Sequence, residues 1–293
     1  MSKIIRILNP AAGHGDAALA ENISTGNPDV VHKTTAVGDA EVFAAEICRE
    51  HPDSHFEVFG GDGTVAEVVN GIMSSGAGKT ASFSVIPTGS GNDFVRNFKS
   101  DKPSSRMIDL IRFNGRYCVN MINIGFDCDV VVKALHYKSK KLVSGSAAYM
   151  MGIVNVLFKK LGHPLEAEYT LKDGGVGSQT EEFLLCSIAN GSYCGGGIKA
   201  APIASLTDGL LDFFRAKKVT RLKFISLFSD YKKGTYISGD EELADRFKGI
   251  MFYDRCLSVR IKSPGMICSD GELVNIEGDL DISVEPKAIR YVY

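Results

Sequence analysis

The chain has 293 residues, about twice the length of a typical domain of roughly 100–200 residues, so two moderate domains are expected. Hydrophobic residues make up 44% of it and charged residues 23%, which indicates a globular protein and excludes disordered, collagen-like and coiled-coil chains. With 33 Lys and Arg against 35 Asp and Glu, the chain lacks the basic surplus of a nucleic-acid-binding protein. Its seven scattered cysteines match neither a zinc site nor a secreted disulfide framework, and they predict free thiols in a reducing compartment.

The first 120 residues alternate short strands with helices. Strands separated by helices of about ten residues indicate βαβ units and a mostly parallel sheet. This part of the chain is therefore predicted to be an α/β domain. Strands are predicted at 4–8, 30–33, 56–59 and 82–86, and helices near 16–23, at 39–49 and at 65–73.

From residue 121 the pattern changes to strands separated by Gly and Asn turns, which favours an antiparallel, sandwich-like β domain at 121–283. The alternating residues of the closing segment can pair with either half, so residues 284–293 are expected either to stay in this domain or to rejoin the first. Strands are predicted at 117–124, 166–171, 182–189, 210–216 and 257–261, a loop at 172–179, and helical insertions around 130–160 and 220–250.

No uninterrupted apolar run approaches the roughly 18 residues that a membrane-spanning helix needs. The longest near-apolar stretch, 146–158, is flanked by lysines on both sides. It fits either a helix lying on an anionic membrane surface or a core helix with solvated ends. The flanking lysines are Lys138, Lys140, Lys141, Lys159 and Lys160.

A glycine-rich segment, Gly60-Gly61-Asp62-Gly63-Thr64, follows one predicted strand and precedes the next predicted helix. Backbone N–H groups and the positive end of a helix dipole bind phosphate at such a position. Asp62 has the oxygen ligands that Mg²⁺ prefers, and Thr64 can cap the helix or contact a phosphate. The alternative is a plain turn followed by an N-cap.

Two further loops follow neighbouring strands. Residues 87–94 supply two glycines, two hydroxyls and an acid, and residues 9–15 follow the first strand. Because ligands bind beyond the carboxyl ends of parallel strands, all three loops are expected to face one crevice. Neither GxGxxG nor GxxxxGK[ST] occurs in the chain, so a Rossmann dinucleotide fingerprint and a Walker P-loop are both unsupported.

These three loops together resemble the diacylglycerol kinase catalytic-domain family of lipid kinases, which includes bacterial soluble diacylglycerol kinases and sphingosine and ceramide kinases. The likeness extends over essentially the whole chain, through 123–127, 190–191, 208–212 and 270–272. It implies a Rossmann-like α/β nucleotide-binding domain, a β-rich lipid-binding domain and an active site in the cleft between them. The implied reaction transfers the γ-phosphoryl group of Mg-ATP to a lipid hydroxyl, most simply that of diacylglycerol or a similar lipid.

The resemblance also implies residue roles. Glu272 corresponds to the proposed general base, and Asp62 and Asp93 would organise Mg²⁺ and the transferring phosphoryl group. Ser205, Asp208 and Leu210 correspond to a second, structural Mg²⁺ site; by sequence alone they fit a β-turn. Nucleotide contacts are implied for Asn9, Pro10, Gly13, Thr34, Gly60, Gly61, Asp62, Gly63, Thr64, Val65, Ala66, Thr88 and Gly89.

Two residues of the first loop depart from the family pattern: His14 stands where many members have Lys, and Ala12 where Ser is usual. A mostly neutral histidine holds phosphate less strongly than lysine does, which puts high ATP affinity in doubt. These departures leave open a relative that binds nucleotide or lipid without turnover. An NAD kinase-like phosphotransferase also stays open, because NAD kinases share the GGDGT segment. The family likeness implies a cytoplasmic enzyme with peripheral membrane contact, and a homodimer is left open.

Overall fold

The computed structural model describes residues 2–13, 28–98, 102–139, 145–157 and 162–293. His14 and the helix predicted at 16–23 lie outside these ranges. In the first half, four strands pair in parallel in the order β2-β1-β3-β4. The predicted α/β pattern is therefore confirmed. The elements are β1 (Ile4–Leu8), β2 (Val30–Lys33), α1 (Asp39–Glu50), β3 (His55–Gly60), α2 (Asp62–Ser74) and β4 (Ser82–Pro87).

The second half is dominated by antiparallel pairing, with helices inserted between strands. The predicted fold class of the second half, a β-rich domain, is confirmed. Strands β5 (Ser105–Phe113) and β6 (Arg116–Cys118) precede residue 121 and pair antiparallel with each other. The strands that follow are β7 (Met121–Gly125), β8 (His163–Leu171), β9 (Val176–Ala189), β10 (Leu211–Lys217), β11 (Met251–Ile261), β12 (Met266–Ser269), β13 (Glu272–Asn275) and β14 (Leu280–Val292). Its helices are α3 (Phe126–Ser139), α4 (Gly145–Leu157) and α5 (Arg221–Lys233).

Strand β14 joins the two halves into one continuous sheet. Its first residues pair antiparallel with β11, from Leu280 to Ser283. Its last residues, Arg290 to Val292, pair in parallel with β4. The closing segment thus contacts both halves, while the division of the chain into domains at residue 120 stays a proposal.

Several boundaries differ from the sequence-based prediction. Strand β5 was not predicted, because its ladder depends on β14, which is remote in sequence. The strand predicted at 117–124 is interrupted, since the N–H groups of Val119 and Asn120 donate to the Asp270 carboxylate at 2.7 and 2.9 Å. Strand β9 begins inside the predicted loop at 172–179. The helix predicted around 220–250 ends at Lys233, because Gly234 adopts a left-handed φ of 70° there.

The described helices include none that is long and apolar enough to cross a bilayer. All seven cysteines are buried free thiols, as the scattered spacing predicts. One apolar core lies beneath the parallel strands and two lie in the second half. The space left between the two halves forms the main cleft.

Candidate active site

The cleft has a volume of about 630 Å³ and opens at the carboxyl ends of β1, β3 and β4. The predicted loops form its wall on the side of the parallel sheet. Helices α3 and α4 and the β12–β13 turn close it on the other side. Of the predicted site residues, it is lined by Asn9, Gly13, Thr34, Gly61, Asp62, Gly63, Thr64, Gly89, Asp93 and Glu272.

The first loop is tied to its neighbours by backbone and side-chain contacts. The Asn9 N–H donates to the Phe59 carbonyl at 2.9 Å, and the Asn9 side-chain amide donates to the Thr64 hydroxyl at 2.8 Å. Gly13 has a φ of 62°, and a Cβ there would lie 2.2 Å from the Thr88 carbonyl oxygen. Only glycine fits this position, because a side chain would separate the first and third loops.

Helix α2 begins in the glycine-rich segment with its backbone donors facing the cleft. Its N-cap residue is Gly61, and no side chain caps the first turn. The Thr64 hydroxyl accepts a hydrogen bond from Asn9, and it makes no capping bond to the helix. Free N–H groups at the start of a helix of this length bind anionic oxygens, so the loop can hold phosphate.

The third loop packs directly on the second. A Cβ on Gly89 would lie 2.4 Å from the Cα of Gly61, so both loops approach at backbone distance. The Thr88 N–H donates to the Gly60 carbonyl at 3.1 Å. The Thr88 hydroxyl is buried and has no hydrogen-bond partner among the described residues.

Five of the residues predicted to contact nucleotide do not line the cleft. They are Pro10, Gly60, Val65, Ala66 and Thr88. Pro10 is exposed in the first loop, and Gly60 is buried at the end of β3. Val65 belongs to the core beneath the parallel sheet. Ala66 is half-buried on the first turns of α2. Their nucleotide roles stay predictions.

Asp62 and Asp93 approach each other at one end of the cleft. Asp62 Oδ1 accepts the Phe94 N–H at 3.0 Å, and Asp93 Oδ2 accepts the Gly196 N–H at 2.8 Å. Asp93 Oδ1 has no hydrogen-bond partner among the described residues, although the Arg96 Nε atom lies 3.6 Å away. Burial and the charge of Asp62 raise the pKa of Asp93 to about 6. Two neighbouring carboxylates repel each other, and Asp93 Oδ1 is not used in a hydrogen bond, so this pair is suited to bind a divalent cation.

Glu272 reaches the cleft from the β12–β13 turn. Its Oε1 atom lies 2.9 Å from the point where a Cβ on Gly63 would be, which places the carboxylate against the start of α2. Partial loss of hydration in the cleft, followed by the negative charges of Glu67 and Asp270, raises the pKa of Glu272, although part of its side chain stays exposed. A raised pKa makes this carboxylate a stronger base once it is ionised.

Asp270 positions the turn that carries Glu272. Its backbone is left-handed, with a φ of 49°, and its carboxylate accepts the N–H groups of Val119, Asn120 and Met121 at 2.7, 2.9 and 3.1 Å. Asp270 lies in the segment 270–272 that resembles the family, and the sequence indicates no role for it. The feature of the sequence that could have indicated a turn at Asp270 is the pair Asp270-Gly271, because Asp-Gly is favoured in two-residue hairpin turns.

Three further residues that were not predicted as site residues also line the cleft: Glu67, Asp127 and Tyr149. Glu67 accepts the N–H groups of Gly38 and Ala40, at 2.8 and 3.2 Å, and so holds the loop before α1. Asp127 and Tyr149 line the far end of the cleft. Glu67 and Asp127 lie in segments that resemble the family, but the sequence indicates no role for them, because their neighbours come from distant parts of the chain.

Ser205, Asp208 and Leu210 lie outside the cleft. The Asp208 carboxylate accepts the Leu210 N–H at 3.1 Å and forms an ion pair with Arg255. The described residues contain no cluster of three His, Cys, Asp or Glu side chains arranged for a metal. The Mg²⁺ role of these three residues stays a prediction, and no step is assigned to a metal there.

The comparisons with known proteins agree with this architecture. The family model "Diacylglycerol kinase catalytic domain" matches residues 3–122, and the model "YegS C-terminal NAD kinase beta sandwich-like domain" matches residues 120–293. The chain belongs to the diacylglycerol kinase catalytic-domain family. The family predicted from the loop motifs is thereby confirmed.

Two curated relatives carry lipid kinase names. A Bacillus subtilis protein named "Diacylglycerol kinase" is 28% identical over 96% of this chain and 95% of its own length. A Chromohalobacter salexigens protein named "Probable lipid kinase YegS-like" is 27% identical, and the match spans 62% of this chain and 60% of that protein. The expectation of a lipid kinase is thus confirmed at the level of the family.

A solved structure shares the fold. The crystal structure of a Bacillus anthracis diacylglycerol kinase superposes with a TM-score of 0.69 and 22% identity, and it covers 100% of this chain and 97% of that one. At this identity the likeness establishes the fold. The arrangement of an α/β half followed by a β-rich half is therefore the family architecture.

Replacing Asp270 with Asn is expected to lower kcat by about 10²-fold with little change in KM for ATP, because a small displacement of a catalytic group has an effect of this size. The new amide would place donors opposite backbone N–H groups and shift the turn that carries Glu272. Steady-state kinetics with ATP and a lipid acceptor measure both constants. Asp279→Asn, on the exposed loop after β13, is the control. Wild-type kcat in Asp270→Asn would contradict the positioning role.

Proposed function

We propose that this chain transfers the γ-phosphoryl group of Mg-ATP to the hydroxyl of a lipid, with diacylglycerol or a similar lipid alcohol as acceptor. The observation that carries the proposal is that three interlocked glycine-bearing loops share one cleft with Asp62, Asp93 and Glu272. The loops supply backbone donors for phosphates. The carboxylates supply sites for a cation and for a proton. Phosphoryl transfer requires these groups.

The charge of the cleft supports a metal-bound nucleotide. Among the described residues, six carboxyl groups and no Lys or Arg line it. Such a surface repels free ATP. Asp62 and Asp93 would hold Mg²⁺, which supplies the positive charge that neutralises the phosphate oxygens during transfer. The six groups are Asp62, Glu67, Asp93, Asp127, Asp270 and Glu272.

Glu272 is the proposed general base. The hydroxyl oxygen of the lipid forms a bond to the γ-phosphorus while the bond from that phosphorus to the bridging oxygen breaks, and ADP leaves. The proton of the hydroxyl passes to the Glu272 carboxylate. Because the proton departs late in a dissociative transfer, a carboxylate of raised pKa is sufficient.

The lipid is proposed to enter over an apolar surface of α3 and α4. Val132 and Val154 are 39% and 54% exposed, and Met151 is 41% exposed. Leu135 is half-exposed and also lines the cleft, so this surface continues into it. We call these four residues the apolar helix face. Exposed apolar side chains around the mouth of a lipid-binding cleft favour peripheral contact with a bilayer.

The stretch 146–158 was expected to form either a helix on a membrane surface or a core helix. The structure has a helix there, α4, with both buried and exposed apolar residues. Ile153 and Val156 are buried, whereas Met151 and Val154 face outward. The lysines at 140, 141, 159 and 160 lie outside the described residues, as does the side chain of Lys138. The membrane proposal therefore rests on the apolar helix face.

Replacing Glu272 with Gln is expected to lower kcat by about 10²–10⁴-fold, the usual contribution of a general base, with nucleotide affinity retained. Phosphoryl transfer from labelled ATP and Mg²⁺ to diacylglycerol, phosphatidylglycerol, ceramide, sphingosine, polyprenol and NAD measures the activity and identifies the acceptor. Glu277→Gln, in the loop after β13, is the matched control. Wild-type turnover in Glu272→Gln would show that Glu272 is not the general base. Labelling of NAD alone would favour an NAD kinase-like enzyme.

Replacing Asp93 with Asn is expected to raise the Mg²⁺ concentration at half-maximal rate by about tenfold or more, since one anionic ligand is lost. A Mg²⁺ titration at saturating ATP measures the shift, and excess EDTA should abolish the wild-type rate. Arg96→Met removes the neighbouring cation and should shift the titration the opposite way, because Asp93 would then lack its only nearby described positive side chain. Full activity in EDTA would refute the metal requirement.

Replacing Val132 and Val154 together with Glu is expected to reduce binding to anionic liposomes severalfold, because the new charges cannot enter the interface. Liposome flotation measures the bound fraction. Val176→Glu alters an equally apolar residue, 80% exposed on the distant β8–β9 hairpin, and should leave binding unchanged. Flotation of the double variant at the wild-type level would show that the membrane contact lies elsewhere.

A further inference from the structure

A pair of side-chain amides joins the two halves of the chain beside the cleft. Asn97 ends a short 3₁₀ helix, Val95–Asn97, one turn after Asp93. Its side-chain oxygen accepts the Ser192 N–H at 2.7 Å, and its side-chain nitrogen donates to the side-chain oxygen of Asn120 at 3.1 Å. We call the hydrogen bond from Asn97 to Asn120 the amide bridge. The proposed phosphoryl transfer assigns no role to it.

Backbone groups fix the orientation of both amides. The Ser192 N–H can only donate, so it selects the oxygen of Asn97 and leaves the nitrogen facing Asn120. On the other side, the Asn120 nitrogen donates to the Tyr193 carbonyl, which can only accept. A flip of either amide would place donor against donor or acceptor against acceptor. The amide bridge therefore has one direction.

The two amides fill a space that excludes a side chain at Gly191. A Cβ there would lie 1.8 Å from the Asn120 side-chain oxygen and 2.9 Å from the Asn97 nitrogen. The N–H groups of Asn190 and Gly191 both donate to the Asn120 carbonyl at 2.9 Å. Close approach thus requires glycine at this position of the Asn190-Gly191 pair. Asn120 is buried, which strengthens its hydrogen bonds relative to those on the surface.

On the nucleotide side, the amide bridge holds the segment that carries Asp93. The Asn97 nitrogen also donates to the Phe94 carbonyl at 2.9 Å, which closes the turn after Asp93. The Asp93 carboxylate accepts the Gly196 N–H at 2.8 Å. The segment from Asp93 to Asn97 therefore contacts the second half of the chain at both of its ends.

On the side of the proposed base, the amide bridge leads to the turn that carries Glu272. The Asn120 backbone N–H donates to the Asp270 carboxylate at 2.9 Å. Asp270 precedes Glu272 by two residues, in the β12–β13 turn. One series of hydrogen bonds thus runs from Asn97 through Asn120 to Asp270. Packed polar contacts of this kind pass a displacement from one group to the next.

We propose that Asn97 is a positioning residue for the transfer reaction. Through its hydrogen bond to Asn120, it sets the separation across the cleft between Asp93 and Glu272. The inference rests on the proposed phosphoryl transfer and adds to it a residue that does not line the cleft. An amide suits this role because one planar group donates to one half of the chain and accepts from the other.

Asn97→Asp tests the proposal with an isosteric change. The new carboxylate keeps an oxygen for the Ser192 N–H, but its second oxygen faces the Asn120 oxygen, so the amide bridge breaks. With the lipid that the wild-type protein phosphorylates fastest, kcat is expected to fall by about tenfold or more, because small displacements of catalytic groups slow transfer. Calorimetry with Mg²⁺ and β,γ-imido ATP should show nearly wild-type affinity. Asn97→Leu breaks the bridge without adding charge and should behave alike.

Asn114→Asp is the matched control. The Asn114 side-chain oxygen also accepts a backbone N–H, that of Asp281 at 3.4 Å. Its side-chain nitrogen has no hydrogen-bond partner in the described ranges, and the residue does not line the main cleft. The same atom is exchanged and no bridge is broken. The kcat of this variant should stay at the wild-type value.

Amide hydrogen exchange of the substrate-free protein separates positioning from a general loss of stability. In both Asn97 variants, exchange is expected to rise by about fivefold or more at 190–197 and at 268–274, while the core strands β1 and β3 stay protected. The rise at 268–274 is the signature of a displaced Glu272 turn. Unchanged exchange there, or an equal rise throughout the chain, overturns the inference.

A double-mutant cycle with Asp270→Asn tests the route of the effect. If Asn97 acts through Asp270, adding Asn97→Leu to Asp270→Asn should lower kcat by no more than about threefold, since effects on one shared route do not multiply. Multiplied losses, or wild-type kcat in both Asn97 variants, overturn the inference while the lipid kinase proposal stands. No transfer to any lipid by the wild-type protein overturns the proposed function, and this inference with it.

Discussion

The position of the cleft depends on strand β14, which hydrogen-bonds to both halves of the chain. Its first residues extend the antiparallel sheet through β11, and its last residues extend the parallel sheet through β4. Along its length it also pairs with β5. A 13-residue strand shared in this way holds the carboxyl ends of β1, β3 and β4 at a set distance from the β12–β13 turn. The loops and Glu272 therefore belong to different halves yet face one another.

Charge is the second constraint on the cleft. The described lining contains acids and no Lys or Arg, although the substrate of a kinase is itself a polyanion. Backbone N–H groups at the start of α2 supply only partial positive charge. The effect is visible at Asp93, because burial and then the charge of nearby Asp62 raise its pKa to about 6. If the chain transfers phosphoryl groups as proposed, a metal ion held by Asp62 and Asp93 would supply the positive charge that a loop lysine often supplies in the family.

Under the proposed function, one end of the cleft binds the nucleotide and the other end binds the lipid acceptor. At the nucleotide end, glycine residues let three loops touch at backbone distance, as Gly13 does with Thr88 and Gly89 with Gly61. At the acceptor end, side chains of α3 and α4 form an apolar wall around Asp127. Glu272 stands between the two ends, on a turn held by Asp270. Rigid positioning of a single base between two binding regions is what an in-line transfer requires.

The sequence alone determined the family, the alternation of strands and helices in the first half, and the loops that carry chemistry. These features are local: strands such as Ile4–Leu8 and Val30–Lys33 were predicted to the residue, because apolar periodicity and glycine placement act over a few positions. The tertiary structure decided what depends on remote partners. Strand β5 forms only because β14 pairs with it, and Asp208 is neutralised by Arg255, 47 residues further along the chain. Asp127 lies in the segment 123–127 that resembles the family, but only the fold leaves one of its carboxylate oxygens buried without a described donor, because burial depends on three-dimensional packing.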